Sequence, residues 1–84
     1  MKFKIYGKNN CPSCLSAKAL LDSKGLEYEY LVFGKDYDLS TFTSFNKAHK
    51  SFPLINIIEK YDGVEMHEQY LGDLNKLQQM LCGS

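Results

Sequence analysis

Two cysteines separated by proline and serine, Cys11-Pro12-Ser13-Cys14, are the residues whose types and spacing point most directly to chemistry. In an intracellular chain, Cys-x-x-Cys beside strand–helix–strand patterning reads first as a thiol–disulfide redox site. Proline is pre-set for the first position of a helix, where its missing N–H has no intrahelical partner to lose. Cys11 then falls at the helix N-cap, where unpaired N–H groups and the positive end of the helix dipole favour a thiolate. Exposure on the preceding loop and the cation of Lys8 work in the same direction. Cys14 lies one turn further on, close enough to attack a disulfide formed at Cys11. The expectation is a nucleophilic Cys11 and a resolving Cys14. A tetrahedral zinc site would need two more ligands from His49, His67 and Cys82, which are not paired at ligand spacing, so no metal is expected. His49 and His67 are given no chemistry, and Cys82 is read as a passive terminal thiol.

The elements that must position this pair are legible from pattern. Residues 2–6 alternate Lys2 and Lys4 against Phe3 and Ile5, a first strand. From residue 12 to about 24 the period is helical, with Cys14, Ala17 and Leu21 on one stripe, Leu20 beside them, and Ser16, Lys18, Asp22 and Ser23 facing out. Lys24-Gly25 supplies a basic last turn and a glycine stop. Residues 27–32 form a second strand, parallel to the first because a helix separates them. Residues 34–38 break the pattern. Asp38 or Ser40 then caps a second helix running to about residue 49, with Leu39, Phe42, Phe45 and Ala48 inward. Residues 53–58 read as a buried strand whose proline sits at its start. Tyr61-Asp62-Gly63 signals a hairpin, with an antiparallel return over residues 64–67. Asp73 opens a last helix with Leu74, Leu77 and Leu81 as its stripe and Met80 adjacent. The order β-α-β-α-β-β-α, with two parallel and two antiparallel pairings, is a thioredoxin-like α/β arrangement: a four-stranded mixed sheet flanked by three helices.

Eighty-four residues, 44% hydrophobic and 13% aromatic, fit one small domain. It is placed at residues 1–82, with Gly83-Ser84 as a short tail that cloning could have added. Ten lysines balance ten acidic residues, which removes the electrostatic case for nucleic acid or an anionic membrane. The apolar runs are too short to span a bilayer, and no signal-peptide pattern opens the chain. A cytoplasmic address is the expectation.

With these pieces in order, the chain resembles the glutaredoxin family. The likeness is strongest over Ile5-Tyr6-Gly7-Lys8 and residues 11–28, where Lys precedes the first Cys by three, followed by Cys-Pro-x-Cys, Ala-Lys, a Leu-Leu pair and Lys-Gly. Phe52-Pro53 matches the family's aliphatic-Pro step, in which the Pro is cis. Gly72-Asp73 matches the small residue and Asp at the start of the final helix. Three departures stand out: Ser13 stands for the usual Tyr, Ser51-Phe52 for Thr-Val, and about Gln69-Tyr70 for Gly-Gly.

The resemblance implies a monomeric dithiol oxidoreductase that reduces protein disulfides or protein–glutathione mixed disulfides. Glutathione serves as reducing co-substrate, no cofactor is bound, and ribonucleotide reductase is one plausible client. Catalysis would fall to Cys11 and Cys14, and glutathione binding to Lys8, Ser13, Phe52, Pro53, Gly72 and Asp73. Tyr70 could replace part of the aromatic wall absent at position 13. Two alternatives share the dithiol. One is a thioredoxin-like reductant recharged by a flavoprotein reductase; the other is a glutathione-assisted iron–sulfur or metal carrier.

Overall fold

The computed structural model describes residues 2–49 and 51–82. The tail expected at Gly83-Ser84 and the side chain of Cys82 lie outside what it describes. The elements are β1 (Lys2–Gly7), α1 (Pro12–Ser23), β2 (Glu27–Val32), α2 (Leu39–Phe45), β3 (Leu54–Tyr61), β4 (Val64–Gly72) and α3 (Leu74–Cys82). The strands form one sheet in the order β2-β1-β3-β4. β1 runs parallel to β2, with Ile5 opposite Tyr30, and antiparallel to β3, with Ile5 opposite Ile55. β3 and β4 are antiparallel. This corrects the expected two parallel and two antiparallel pairings to one and two. An open sheet of four strands has three adjacencies, and β3 enters beside β1 running against it.

Alternation along β1 sends Phe3 and Ile5 to one face and Tyr6 to the other. Phe3, Ile5 and Ile55 pack with Ala17 and Leu21 of α1 and Leu77 of α3, all fully buried. Tyr6 and Leu54 pack with Phe42 of α2, flanked by Leu31, Tyr37, Phe45 and Phe52. Helices α1 and α3 therefore cover one face and α2 covers the other. The α1 stripe is the one its period predicts: Cys14, Ala17 and Leu21 are its buried residues. Its C-terminus closes with Leu26 N–H donating to Leu21 O at 3.1 Å and Gly25 N–H donating to Asp22 O at 3.1 Å, the paired bonds of a Schellman stop. Lys24 is the C-cap and not part of a basic last turn.

The second helix is shorter than its pattern predicts. Asp38 is its N-cap and Asn46 its C-cap, so residues 46–49 are not helical. The Asn46 side chain accepts from Ala48 N–H at 2.9 Å and the Asn46 carbonyl accepts from His49 N–H at 3.1 Å. That local turn competes with the helix for the same groups. Leu39 is 59% exposed and Ala48 is exposed, against expectation, while Phe42 is buried. β3 and β4 run longer than expected, to Tyr61 and to Gly72. They meet at a turn whose central residues, Asp62 and Gly63, have φ of 52° and 80°, as a type I′ hairpin requires.

The α2 face also carries a polar layer. Glu68 of β4 accepts from the Tyr6 hydroxyl at 2.6 Å, the Asn56 amide at 2.5 Å and the Lys4 ammonium at 3.3 Å. Asn56 is fully buried. Burial pushes the Glu68 carboxyl up, but the Tyr6 and Asn56 hydrogen bonds and the Lys4 charge outweigh it and hold the group below its ordinary value. Burial, then the hydrogen bond to Glu68, pushes the Tyr6 phenol well above its usual range. Tyr6 therefore stays a proton donor to the carboxylate.

Candidate active site

The cysteine pair sits where β1 hands over to α1. Asn10, immediately before it, has φ of 57°, a left-handed conformation that Asn tolerates better than most residues. The loop is fixed by its carbonyls. Tyr37 donates to Gly7 O at 2.6 Å, Phe33 N–H to the same oxygen at 2.8 Å, and Tyr30 to Lys8 O at 3.0 Å. Position 7 has no room for a side chain: a Cβ there would lie 2.8 Å from the Tyr30 hydroxyl and 3.0 Å from the Cys14 sulfur. The glycine lets the strand end pass directly behind the second cysteine.

Cys11 is the N-cap of α1, with Pro12 opening the helix, as its sequence predicts. Its Sγ accepts from Cys14 N–H at 3.2 Å and its carbonyl accepts from Leu15 N–H at 3.1 Å. The sulfur thus occupies the place where a capping oxygen normally satisfies a free helical N–H. The two cysteines are joined by a disulfide, with Cα atoms 5.2 Å apart. One expectation is corrected here. Cys11 is 5% exposed and Cys14 fully buried, because packing of the loop and α1 against the sheet draws the whole pair inward.

The other residues named for ligand binding come from the β1–α1 loop, from Ser13 between the cysteines, from the segment before β3 and from the start of α3. The Phe52-Pro53 bond is cis, and Phe52 and Pro53 line a groove of about 240 Å³ together with Ser13, Ser51 and Asp73. Lys8 Nζ stands 4.9 Å from the centre of the Phe52 ring, within cation–π range. Asp73 caps α3: its Oδ1 accepts from Lys76 N–H at 3.2 Å, and its carbonyl accepts from Leu77 N–H at 3.1 Å. Gly72 has φ of 146°, in the region that favours glycine. It lines an adjoining groove of about 460 Å³ that shares Ser51 and Asp73 with the first. Of the six residues named for ligand binding, four therefore line one groove, Lys8 covers Phe52, and Gly72 belongs to the neighbouring groove.

Tyr70, expected to replace part of the aromatic wall, lies on β4 and lines the larger groove beside His49, while Ser13 lines the adjoining one. His49 is the residue that sequence reasoning passed over. Its Nδ1 is 2.6 Å from the Tyr70 hydroxyl, and its Nε2 is 2.7 Å from Ser51 O and 3.2 Å from Pro53 O. No local pattern joins positions 49 and 70. The nearest signal is a histidine four residues before the proline of a strand start.

Residues 3–57 match the glutaredoxin family, a span that includes the cysteine pair and Phe52-Pro53 and stops short of Gly72-Asp73. A probable glutaredoxin of Synechocystis sp. is 33% identical over 63 residues, 74% of this chain and 72% of that protein. Among solved structures, glutaredoxin 1 from Francisella tularensis, crystallised with cacodylate, superposes with a TM-score of 0.61 at 20% identity. That superposition covers 92% of this chain and 87% of the other, and it bears on the fold: a mixed sheet with three helices, as the thioredoxin-like expectation has it. Among the described residues no helix is long and apolar enough to cross a membrane.

Proposed function

The chain belongs to the glutaredoxin family and is a thiol–disulfide oxidoreductase; from that premise we propose that it draws electrons from glutathione and works through Cys11 and Cys14. The observation that carries this reading is the capping geometry of Cys11. In the reduced protein a thiolate at this position accepts the Cys14 N–H that the sulfur accepts now. A hydrogen bond to the charged form, added to the helix dipole, lowers a thiol pKa and raises the attacking fraction at neutral pH.

On a glutathionylated protein, the Cys11 thiolate attacks the glutathione sulfur, forms a Cys11–glutathione disulfide and releases the client's thiolate. A second glutathione thiolate then attacks the glutathione sulfur of that disulfide, returning Cys11 as a thiolate and leaving oxidised glutathione. On a protein disulfide, Cys11 attacks one sulfur and releases the other as a thiolate. The Cys14 thiolate then attacks the Cys11 sulfur, freeing the client's second thiolate and closing the Cys11–Cys14 disulfide. Two glutathione molecules reopen it. The glutathione cysteine lies against the Phe52-Pro53 backbone, its glycine carboxylate near Lys8, and its γ-glutamyl end at Gly72-Asp73. The shared groove of Ser13, Phe52, Pro53 and Asp73 supports that placement. The protein acts as a cytoplasmic monomer on disulfide-bearing or glutathionylated clients, ribonucleotide reductase being one candidate.

Turnover with glutathione and its flavoprotein reductase, set against turnover with thioredoxin reductase alone, tests the reductant. Glutathione-independent turnover overturns the assignment in favour of the thioredoxin-like alternative. Cys11→Ser is expected to abolish both reactions. Cys14→Ser is expected to keep reduction of glutathionylated substrate and lose protein-disulfide reduction. The opposite ranking reverses the two roles.

A further inference from the structure

We infer that His49 is a positioning residue for this reaction, holding the Ser51-Phe52-Pro53 loop in its substrate-pairing shape, with Tyr70 selecting the ring tautomer that does so. The inference rests on the reading of that loop as one wall of the redox site. Nε2 lies 2.7 Å from the Ser51 carbonyl oxygen and 3.2 Å from the Pro53 carbonyl oxygen. A carbonyl can only accept, so Nε2 carries a proton shared between the two. In the neutral ring Nδ1 is then the acceptor, and the Tyr70 hydroxyl at 2.6 Å donates to it. Tyr70, His49 and the two loop carbonyls form one directional chain from β4 to the start of β3.

The ring is also held sterically. Phe42 meets it edge-on with centroids 5.6 Å apart, and so does Tyr70 at 5.6 Å. The two carbonyls it takes belong to the residues on either side of Phe52. It takes neither the N–H nor the C=O of Phe52 itself, the groups that an extended substrate would pair with in the manner of an added strand. Tyr70 supplies its hydroxyl from a position where the family resemblance leads one to expect glycine.

Two readouts test this, and neither uses free glutathione or a recycling enzyme, so a failure of the reductant assignment shows separately in the steady-state assay. Long-range proton–nitrogen spectra of the reduced protein are expected to show His49 as the Nε2–H tautomer, with mixed tautomers in Tyr70→Phe. An Nδ1–H ring in the unaltered protein overturns the inference. In single-turnover reduction of a glutathionylated peptide by prereduced protein, His49→Ala is expected to raise the half-saturating concentration about tenfold, the scale of one lost hydrogen bond, with the saturating rate within about twofold. His49→Gln, whose side-chain amide can donate to the same carbonyls, is expected to recover most of that loss. A half-saturating concentration unchanged in His49→Ala, or no recovery in a folded His49→Gln, overturns the positioning role. If His49→Ala does not fold, the tautomer spectra and the Gln variant decide.

Discussion

On the face covered by α1 and α3, Phe3, Ile5, Ala17, Leu21, Ile55 and Leu77 meet as a cluster of apolar side chains. On the α2 face, Tyr6 and Leu54 share their layer with Lys4, Asn56 and Glu68, and the loops above are tied by Tyr37 and His49. The first face works by contact area, which has no direction, and it fixes where α1 lies. The second works through donors and acceptors at set distances, which fixes the orientation of individual carbonyls. The cysteine pair needs both, because packing of α1 holds it at the C-terminal end of β1 while the tied loops shape what faces it. Tyr30 joins the two, packing on the apolar side while its hydroxyl holds Lys8 O.

The sharpest break comes from Leu21→Ala. Leu21 is fully buried, and the lost contacts plus the cavity are expected to cost about 2–5 kcal/mol in denaturant unfolding. Reactivity of the remaining folded fraction should stay near that of the unaltered protein. A loss below about 1 kcal/mol would mean that this face can collapse around the gap and is not tightly packed.

Glu68→Ala comes next. It leaves the Tyr6 hydroxyl and the Asn56 amide without their acceptor, at about 1–3 kcal/mol. The carboxyl also gives a pH signature. Its native pKa lies below the ordinary 4.5, so in acid the unfolded chain takes up a proton before the native one does. The stability it contributes is fully present above that value and is lost as pH falls through the native pKa. Glu68→Gln is expected to flatten that part of the acid stability profile, whereas Leu21→Ala should lower the profile without changing its slope there. A Gln variant with the same acid slope would remove Glu68 from the account.

Tyr37→Phe is the smallest change. It deletes the bond to Gly7 O and is expected to cost about 1 kcal/mol. Its more telling readout is the rate of Cys11 alkylation in the reduced protein, expected to shift a few-fold as the β1–α1 loop relaxes. An unchanged rate would leave Phe33 N–H and Tyr30 as sufficient anchors.

The same contrast explains what the sequence made legible. Helix α1 could be read because contact area leaves a period: Cys14, Ala17 and Leu21 recur at helical spacing, and Lys24-Gly25 marks the stop. Strand β1 and the Cys-Pro-Ser-Cys junction were legible for the same local reasons. Helix α2 reads too long because Phe45 and Ala48 continue an apolar stripe, while the turn that ends it comes from one residue, Asn46. β4 reads too short because His67, Glu68, Gln69 and Tyr70 show no apolar alternation; the polar layer that Glu68 joins exists only once β3 lies alongside. The burial of Cys11 is not legible because a loop position says nothing of what packs over it. The His49–Tyr70 clamp spans 21 residues and leaves no periodic trace.

The near-contact behind position 7 gives the dithiol a front and a back. With no room behind it for even one added carbon at position 7, the sulfur of Cys14 is fully buried, while Cys11 keeps 5% exposure. A bulky labelling reagent added to the reduced protein is expected to modify the first thiol and spare the second. The sequence in which the two sulfurs meet an electrophile is therefore built into the backbone, before any difference in their acidity comes into play.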